Sequence, residues 1–324
     1  MLAAYRRTGA DPPFGDPRGY HGVGMEGYYW RFTHAARGAV AVVLLAISRD
    51  AAGRPWGLAG FATHPGGFVR TVAVDGAWAD PSSVAVRLFD GDRVVLDARE
   101  ERLVLDLGED ARLDARLGAR AGWPRRVFGG IGPAHVVPGL SQYWHPHLLG
   151  ARVEGTARAG GQTLDLDGAD AYAEKNWGRG GMPAAWWWGQ AQGFDRADAC
   201  VAFAGGRAGL GPLRLPAGAL VVRLGDRVLR IVRPGASLRV AVDAAGWRLR
   251  GRAGRHVVEV EAHAGGSVPR LLPVPVPRER RHLEARAAQH LAGELRLAVR
   301  LRGHTVYEGV SKLAGLERGR GHQA

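Results

Sequence analysis

From Gly27 onward the apolar residues come in short runs separated by turn chemistry. Tyr28 to Phe32, Val40 to Ser48, Trp56 to Thr63 and Phe68 to Val74 read as strands, punctuated by Asp50-Ala51-Ala52-Gly53 and Pro65-Gly66-Gly67. Val84 to Phe89 and Arg93 to Leu96 flank Asp90-Gly91-Asp92, a hairpin signal. Ala111 to Ala121 fits a short helix or another strand equally well. Gly178, Gly180, Gly181 and Pro183 mark a flexible link, the clearest boundary in the chain. Beyond it the same style resumes, from Cys200 to Ala204 through to a closing hairpin of Glu294 to Leu301 and Val306 to Leu313. Leu271 to Arg278 carries prolines at 273, 275 and 277, which bar it from the interior of a sheet. Glu279 to His290 fits a short helix. Many short strands with few helices predict an all-β protein, and the pattern alone leaves sandwich and barrel open. The expected division is an arm over residues 1–24, a first unit over 25–180 and a second over 181–324.

Two stretches beside the link depart from ordinary core patterning. Tyr172-Ala173-Glu174-Lys175-Asn176-Trp177-Gly178 places an acid, a base and an amide between aromatics. Trp186-Trp187-Trp188-Gly189-Gln190-Ala191-Gln192 follows shortly after. As strands, their side chains alternate between faces. Tyr172, Glu174 and Asn176 then share one face, and Lys175 and Trp177 the other. Trp186, Trp188, Gln190 and Gln192 likewise share a face. Two tryptophans with two amides suit the wall of an apolar cavity that carries a few orienting polar groups. Buried amides need partners, which a ligand oxygen or ordered water would supply.

The chain has 324 residues, enough for two domains with separate cores, and a formal charge of +13 carried almost wholly by arginine. The basic residues are scattered, so nucleic acid is not an expected partner; dispersed strand-face arginines or contact with an anionic membrane surface remain. One cysteine, Cys200, excludes an internal disulfide and a cysteine-rich metal site. Met1 to Asp16 has no apolar leader core, and the most apolar run, Ala39 to Ile47, is too short to cross a bilayer. These features predict a cytoplasmic protein, with peripheral membrane association left open. His145 and His147 share a strand parity, but Pro146 breaks regularity and no nearby acid completes a metal site.

Tyr172 to Gly178, with the Trp-Trp-Trp-x-Gln stretch, resembles the signature of the tocopherol cyclase family. Met25-Glu26-Gly27-Tyr28-Tyr29 resembles that family's early Glu-Gly-Trp-Tyr element, with Tyr28 in place of Trp, and Thr305 to Gly315 resembles its last strand. The Tyr-x-acid-x-Asn-Trp frame is also similar to one in carotenoid hydratases. The resemblance implies two lipocalin-like antiparallel β-barrels in tandem. It implies cofactor-free, acid-catalysed closure of a chroman-type ring, or isomerisation, on a hydrophobic prenylated aromatic substrate. The alternatives are an isoprenoid hydratase in the same fold and a non-catalytic lipid carrier. Glu174 is the expected proton donor and Glu26 the second candidate acid; a structural ion pair is the competing role of each. Tyr172, Asn176, Trp186, Trp188, Gln190, Gln192, Tyr28, Trp144 and His145 are the expected substrate contacts. Lys175 is expected in an ion pair across the domain interface, and Trp177 as the packing anchor between barrels.

Overall fold

The computed structural model describes residues 1–124, 128–233, 237–244 and 246–320. Two antiparallel sheets account for most of it. The first uses strands from Met25–His34 to Asp170–Gly178, the second from Ala185–Ala191 to His304–Arg320. In each, strands at or next to the two ends of the hydrogen-bonded path pack back against one another, so both sheets roll into barrels. The protein is two lipocalin-like β-barrels in tandem.

Period-two burial explains why these segments are strands. In Ala111–Gly118 residues 111, 113, 115 and 117 are buried and those between are exposed, which settles the helix-or-strand ambiguity as a strand. Paired charges lie along its wet face, as in Arg102–Asp114 at 2.7 Å from the neighbouring strand. The helix expected over Glu279 to His290 is not formed. Residues 279–282 form a turn, and 283–290 enter the 19-residue strand Leu283–Leu301, which pairs with three other strands along its length. Ladder pairing there overrides a locally helix-favouring composition. The proline-bearing segment forms Arg270–Pro275, bonded to that strand alone, which is the edge position proline tolerates.

Three apolar clusters divide the interior. Trp30, Phe32, Val43 and Leu105 belong to the filling of the first barrel. Val201, Phe203, Val260 and Leu297 belong to that of the second. The third cluster lies between the barrels and includes Tyr29, Val42, Tyr172, Trp186, Trp188, Val221 and Leu313. Strand parity sorts these sets: Tyr28 and Trp30 point into the first barrel, while Tyr29 and Arg31 point at the second. Arg31 is fully buried and donates to the carbonyls of Leu291 and Leu313, both at 2.6 Å, tying the first strand to bulged strands of the other barrel.

The N-terminal arm wraps the first barrel, and the alternate face of the motif strand holds it. Lys175 donates to Gly19 O at 2.7 Å and Trp177 Nε1 to Gly9 O at 2.8 Å. Trp177 stacks between His21 and Tyr143, with ring centroids 4.7 and 5.4 Å away. This corrects the expected roles of both residues: they anchor the arm and do not join the barrels. Among the described residues no helix is long and apolar enough to cross a membrane.

Candidate active site

The interface between the barrels holds a cavity of about 820 Å³. Both sheets line it. Tyr29, Glu174 and Asn176 come from the first, and Trp186, Trp188, Gln289 and Glu317 from the second. The strand faces read from sequence are therefore brought together, and they meet in the seam and not inside either barrel.

Glu174 sits in the middle of its strand, directly opposite Tyr29 on one side and Pro146 on the other. It is 4% exposed. Tyr172 Oη donates to its Oε2 at 2.5 Å, and Trp188 Nε1 donates to the same oxygen at 2.9 Å. Burial lifts the carboxyl to about 7, against the lowering effect of these donors. Much of the population is then a neutral acid at pH 7. Tyr172 and Trp188 both occupy Oε2, which leaves Oε1 as the oxygen to carry the proton, with the Trp144 indole also near the carboxyl.

Glu317 is a second carboxyl group in the cavity, and no feature of its sequence context marks it. It faces Trp188 on one neighbouring strand and Gln289 on the other. Trp186 Nε1 donates to its Oε1 at 2.5 Å and Gln289 Nε2 to its Oε2 at 2.9 Å. Burial raises its pKa as well. Trp186 lies over Gly319, where any Cβ would overlap the indole. Among the described residues Gln289 Oε1, on the cavity wall, has no hydrogen-bond partner.

Other expected contacts are placed elsewhere. Glu26 is outside the cavity lining. It is fully buried, 2.7 Å from Lys175 Nζ, and accepts the backbone N–H groups of His21 and Gly22. Although burial works against ionisation, Lys175 and His21 hold its pKa down to about 2, so it is a carboxylate. Strand parity turns it to the face opposite Glu174, and the grouping of these two acids in one site is corrected. His145 is likewise on the far face, opposite Lys175, where Gly130 N donates to its Nδ1 at 3.2 Å. Its strand neighbour Trp144 faces the cavity. Gln190 and Gln192 keep the tryptophan face but lie deeper in the seam, off the cavity: Gln190 Nε2 reaches Cys200 Sγ at 3.7 Å and Gln192 Nε2 reaches Ala171 O at 3.3 Å. At ~3.3 Å rise per residue, each two-residue step moves the side chain ~7 Å further along the wall. Tyr172 touches the site through Glu174; Tyr28 packs in the first barrel and contributes to the cavity edge.

At its other end the cavity runs beneath the hairpin of Ala199–Leu210 and Leu213–Leu224. Leu210, Leu213 and Leu215 are all on its lining and at least 42% exposed, with Arg207 and Arg230 in the same wall.

Fold and site together define a two-barrel lipocalin-like protein with an acid-bearing apolar cavity between its barrels. The model of the tocopherol cyclase-like family matches residues 137–320, more than half of the chain, and the chain belongs to that family. It is 26% identical over 195 residues to the Zea mays protein named tocopherol cyclase, chloroplastic, a match covering 57% of this chain and 40% of the relative. It is 28% identical over 130 residues to the Oryza sativa subsp. japonica protein named probable tocopherol cyclase, chloroplastic, covering 39% and 27%. The matched regions thus span less than half of the length of these relatives. Among solved structures, CghA with Sch210972 aligns at a TM-score of 0.64 and 11% identity, covering 93% of this chain and 90% of that one. NE1406 of Nitrosomonas europaea aligns at 0.52 and 14%, covering 93% of each chain. At such identities these structures bear on the fold alone.

Proposed function

We propose that the protein is a cyclase that closes a chroman-type ring on a hydrophobic prenylated phenol or quinol by acid catalysis. Family membership supports a cyclase. The observation that carries the mechanism is the neutral, buried Glu174, held by Tyr172 and Trp188 at the wall of an apolar cavity. An alkene is a very weak base, so its proton donor must be well placed and shielded from water. In this reading Glu174 Oε1 gives its proton to an alkene carbon of the prenyl chain. The electron pair of the double bond forms the new C–H bond, leaving a tertiary cation at the other carbon. The faces of Trp186 and Trp188 stabilise that charge. A phenolic oxygen then forms the C–O bond and loses its proton. Every substrate atom is retained, so the step is an isomerisation without an oxidant.

The exposed leucines at the cavity mouth and the nearby arginines suit collection of such a substrate from an anionic lipid surface. The test of the activity is product analysis with a panel of prenylated quinols. Wild type is expected to give the ring-closed isomer, and Glu174→Gln to turn over ~10²–10⁴ slower, the usual worth of a general acid. A hydrated open-chain product would indicate a hydratase. Tight binding with no product from any member of the panel would indicate a carrier.

A further inference from the structure

Glu174 is faced by donors, from Tyr172, Trp188 and Trp144. Beside Glu317 the group left without a partner among the described residues is an acceptor. Gln289 Oε1 is buried without a donor, its residue only 1% exposed, and it lines the cavity. Each oxygen of Glu317 takes one hydrogen bond, from Trp186 or Gln289, and a carboxylate oxygen has room for a second. The arrangement is fixed by strand pairing. Trp188, Glu317 and Gln289 are directly opposed residues on three adjacent strands, so they share one face of the second sheet. With Glu317 ionised, the hydrogen-bonding capacity left on this pair is acceptor-only and is incomplete without a donor from outside the protein.

We propose that Glu317 and Gln289 form a second polar subsite, which receives a hydroxyl group of the ligand. The two acceptors select a ligand with a free O–H and reject its ether. Within the cyclase reading, on which this part rests, the hydroxyl held there is the one that closes the ring. Its oxygen forms the C–O bond to the cationic carbon, its O–H bond breaks, and the proton passes to a Glu317 carboxylate oxygen. Glu174 has by then given its own proton to the alkene carbon. Proton exchange with solvent restores both groups, and no oxidant or reductant is required. Two carboxyl groups on either side of Trp188 thus divide the proton gained by carbon from the proton lost by oxygen.

The test compares binding of a prenylated phenol with that of its O-methyl ether, read by quenching of tryptophan fluorescence at pH 8. Wild type, Glu317→Gln and Glu317→Met are measured, each with a circular dichroism spectrum. Wild type is expected to prefer the phenol by about tenfold or more, the worth of a hydrogen bond to a charged acceptor. In Glu317→Met that preference falls to about twofold or less, while the ether binds as before. If the Met variant fails to fold, the Gln variant carries the test, and its preference must fall at least threefold. Equal binding of phenol and ether by wild type, an undiminished preference in the folded variant, or no binding of either ligand would each overturn the subsite. Because the readout is binding, it separates from the cyclase reading. Loss of preference together with no ring closure by wild type would leave the subsite standing and remove the cyclase. Ring closure with an undiminished preference would do the reverse.

Discussion

Trp188 of the second barrel donates its indole N–H to Glu174 of the first, at 2.9 Å. The candidate acid is therefore held from both sides of a domain seam, by Tyr172 on its own strand and by a tryptophan from the other sheet. Neither barrel alone contains the site. Docking of the barrels and tuning of the acid are one structural event.

Removing only that N–H tests the coupling. Trp188→Phe keeps an aromatic face and removes a donor that lowers the pKa of Glu174. The alkaline limb of the rate profile, where the acid ionises, is expected to move to higher pH. Trp188→Ala removes the ring too and costs ~3–5 kcal/mol of stability. An unchanged alkaline limb in the Phe variant would argue that the hydrogen bond has no role in setting the acid.

Glu174 has a stability signature independent of any substrate. Its folded pKa of about 7 is above the ordinary carboxyl value of 4.5. The native state therefore holds the proton more tightly than the unfolded chain. Its contribution is fully present below pH 4.5 and is lost as pH rises through 7, by on the order of 3 kcal/mol. Glu174→Gln cannot ionise and escapes that loss. Urea unfolding is expected to find the Gln variant more stable than wild type at pH 8 and close to it at pH 4.5. A variant less stable than wild type at both values would place Glu174 among purely structural residues.

Glu26 has the opposite sign. Its folded pKa of about 2 is below 4.5, so its contribution is present above pH 4.5 and is lost as pH falls through 2. Glu26→Gln leaves Lys175 buried beside a neutral partner and is expected to cost ~3–5 kcal/mol. Turnover per folded molecule should hold near wild type, since Glu26 does not line the cavity. A loss of turnover comparable to that of Glu174→Gln, in folded protein, would bring Glu26 back as a reacting group.

Arg31 gives a way to loosen the seam itself. Arg31→Met leaves the carbonyls of Leu291 and Leu313 without this donor, at ~1–3 kcal/mol for each. The expected outcome is a lower unfolding midpoint and weaker ligand binding together. Weaker binding follows because both barrels contribute to the cavity wall. Unchanged binding in the destabilised variant would contradict a cavity built by docking.

Alternation made much of this site legible. Tyr172, Glu174 and Asn176 could be placed on one face, and Trp186 with Trp188 on another, because period-two geometry depends only on the residues being strands. How far along a strand a cavity extends is not encoded in parity, so Gln190 and Gln192 share the tryptophan face yet lie beyond the cavity, in the seam. Glu26 and His145 fell on opposite faces from their expected partners for the converse reason: adjacent strands fix which side each residue takes, and pairing is not visible in one segment. Arg31 lies in an apolar run, Tyr29-Trp30-Arg31-Phe32, and Glu317 in a Leu-Glu-Arg-Gly-Arg end that looks like a solvated strand tip. The neighbouring barrel explains Arg31, and Trp186 and Gln289 on the adjoining strands of its own sheet explain Glu317. No helix forms over Glu279 to His290 because two neighbouring strands, invisible in the local composition, pair with residues 283–290.

The most direct test of the account follows the proton. Wild-type protein is incubated with a prenylated quinol in deuterium oxide, and the product is read by mass spectrometry and NMR, beside Glu174→Gln. The account predicts a ring-closed product with one solvent deuterium at the former alkene carbon, formed ~10²–10⁴ slower by the folded Gln variant. A product with no deuterium at that carbon, or labelled product formed by Glu174→Gln at the wild-type rate, would contradict the assignment of Glu174 as the acid.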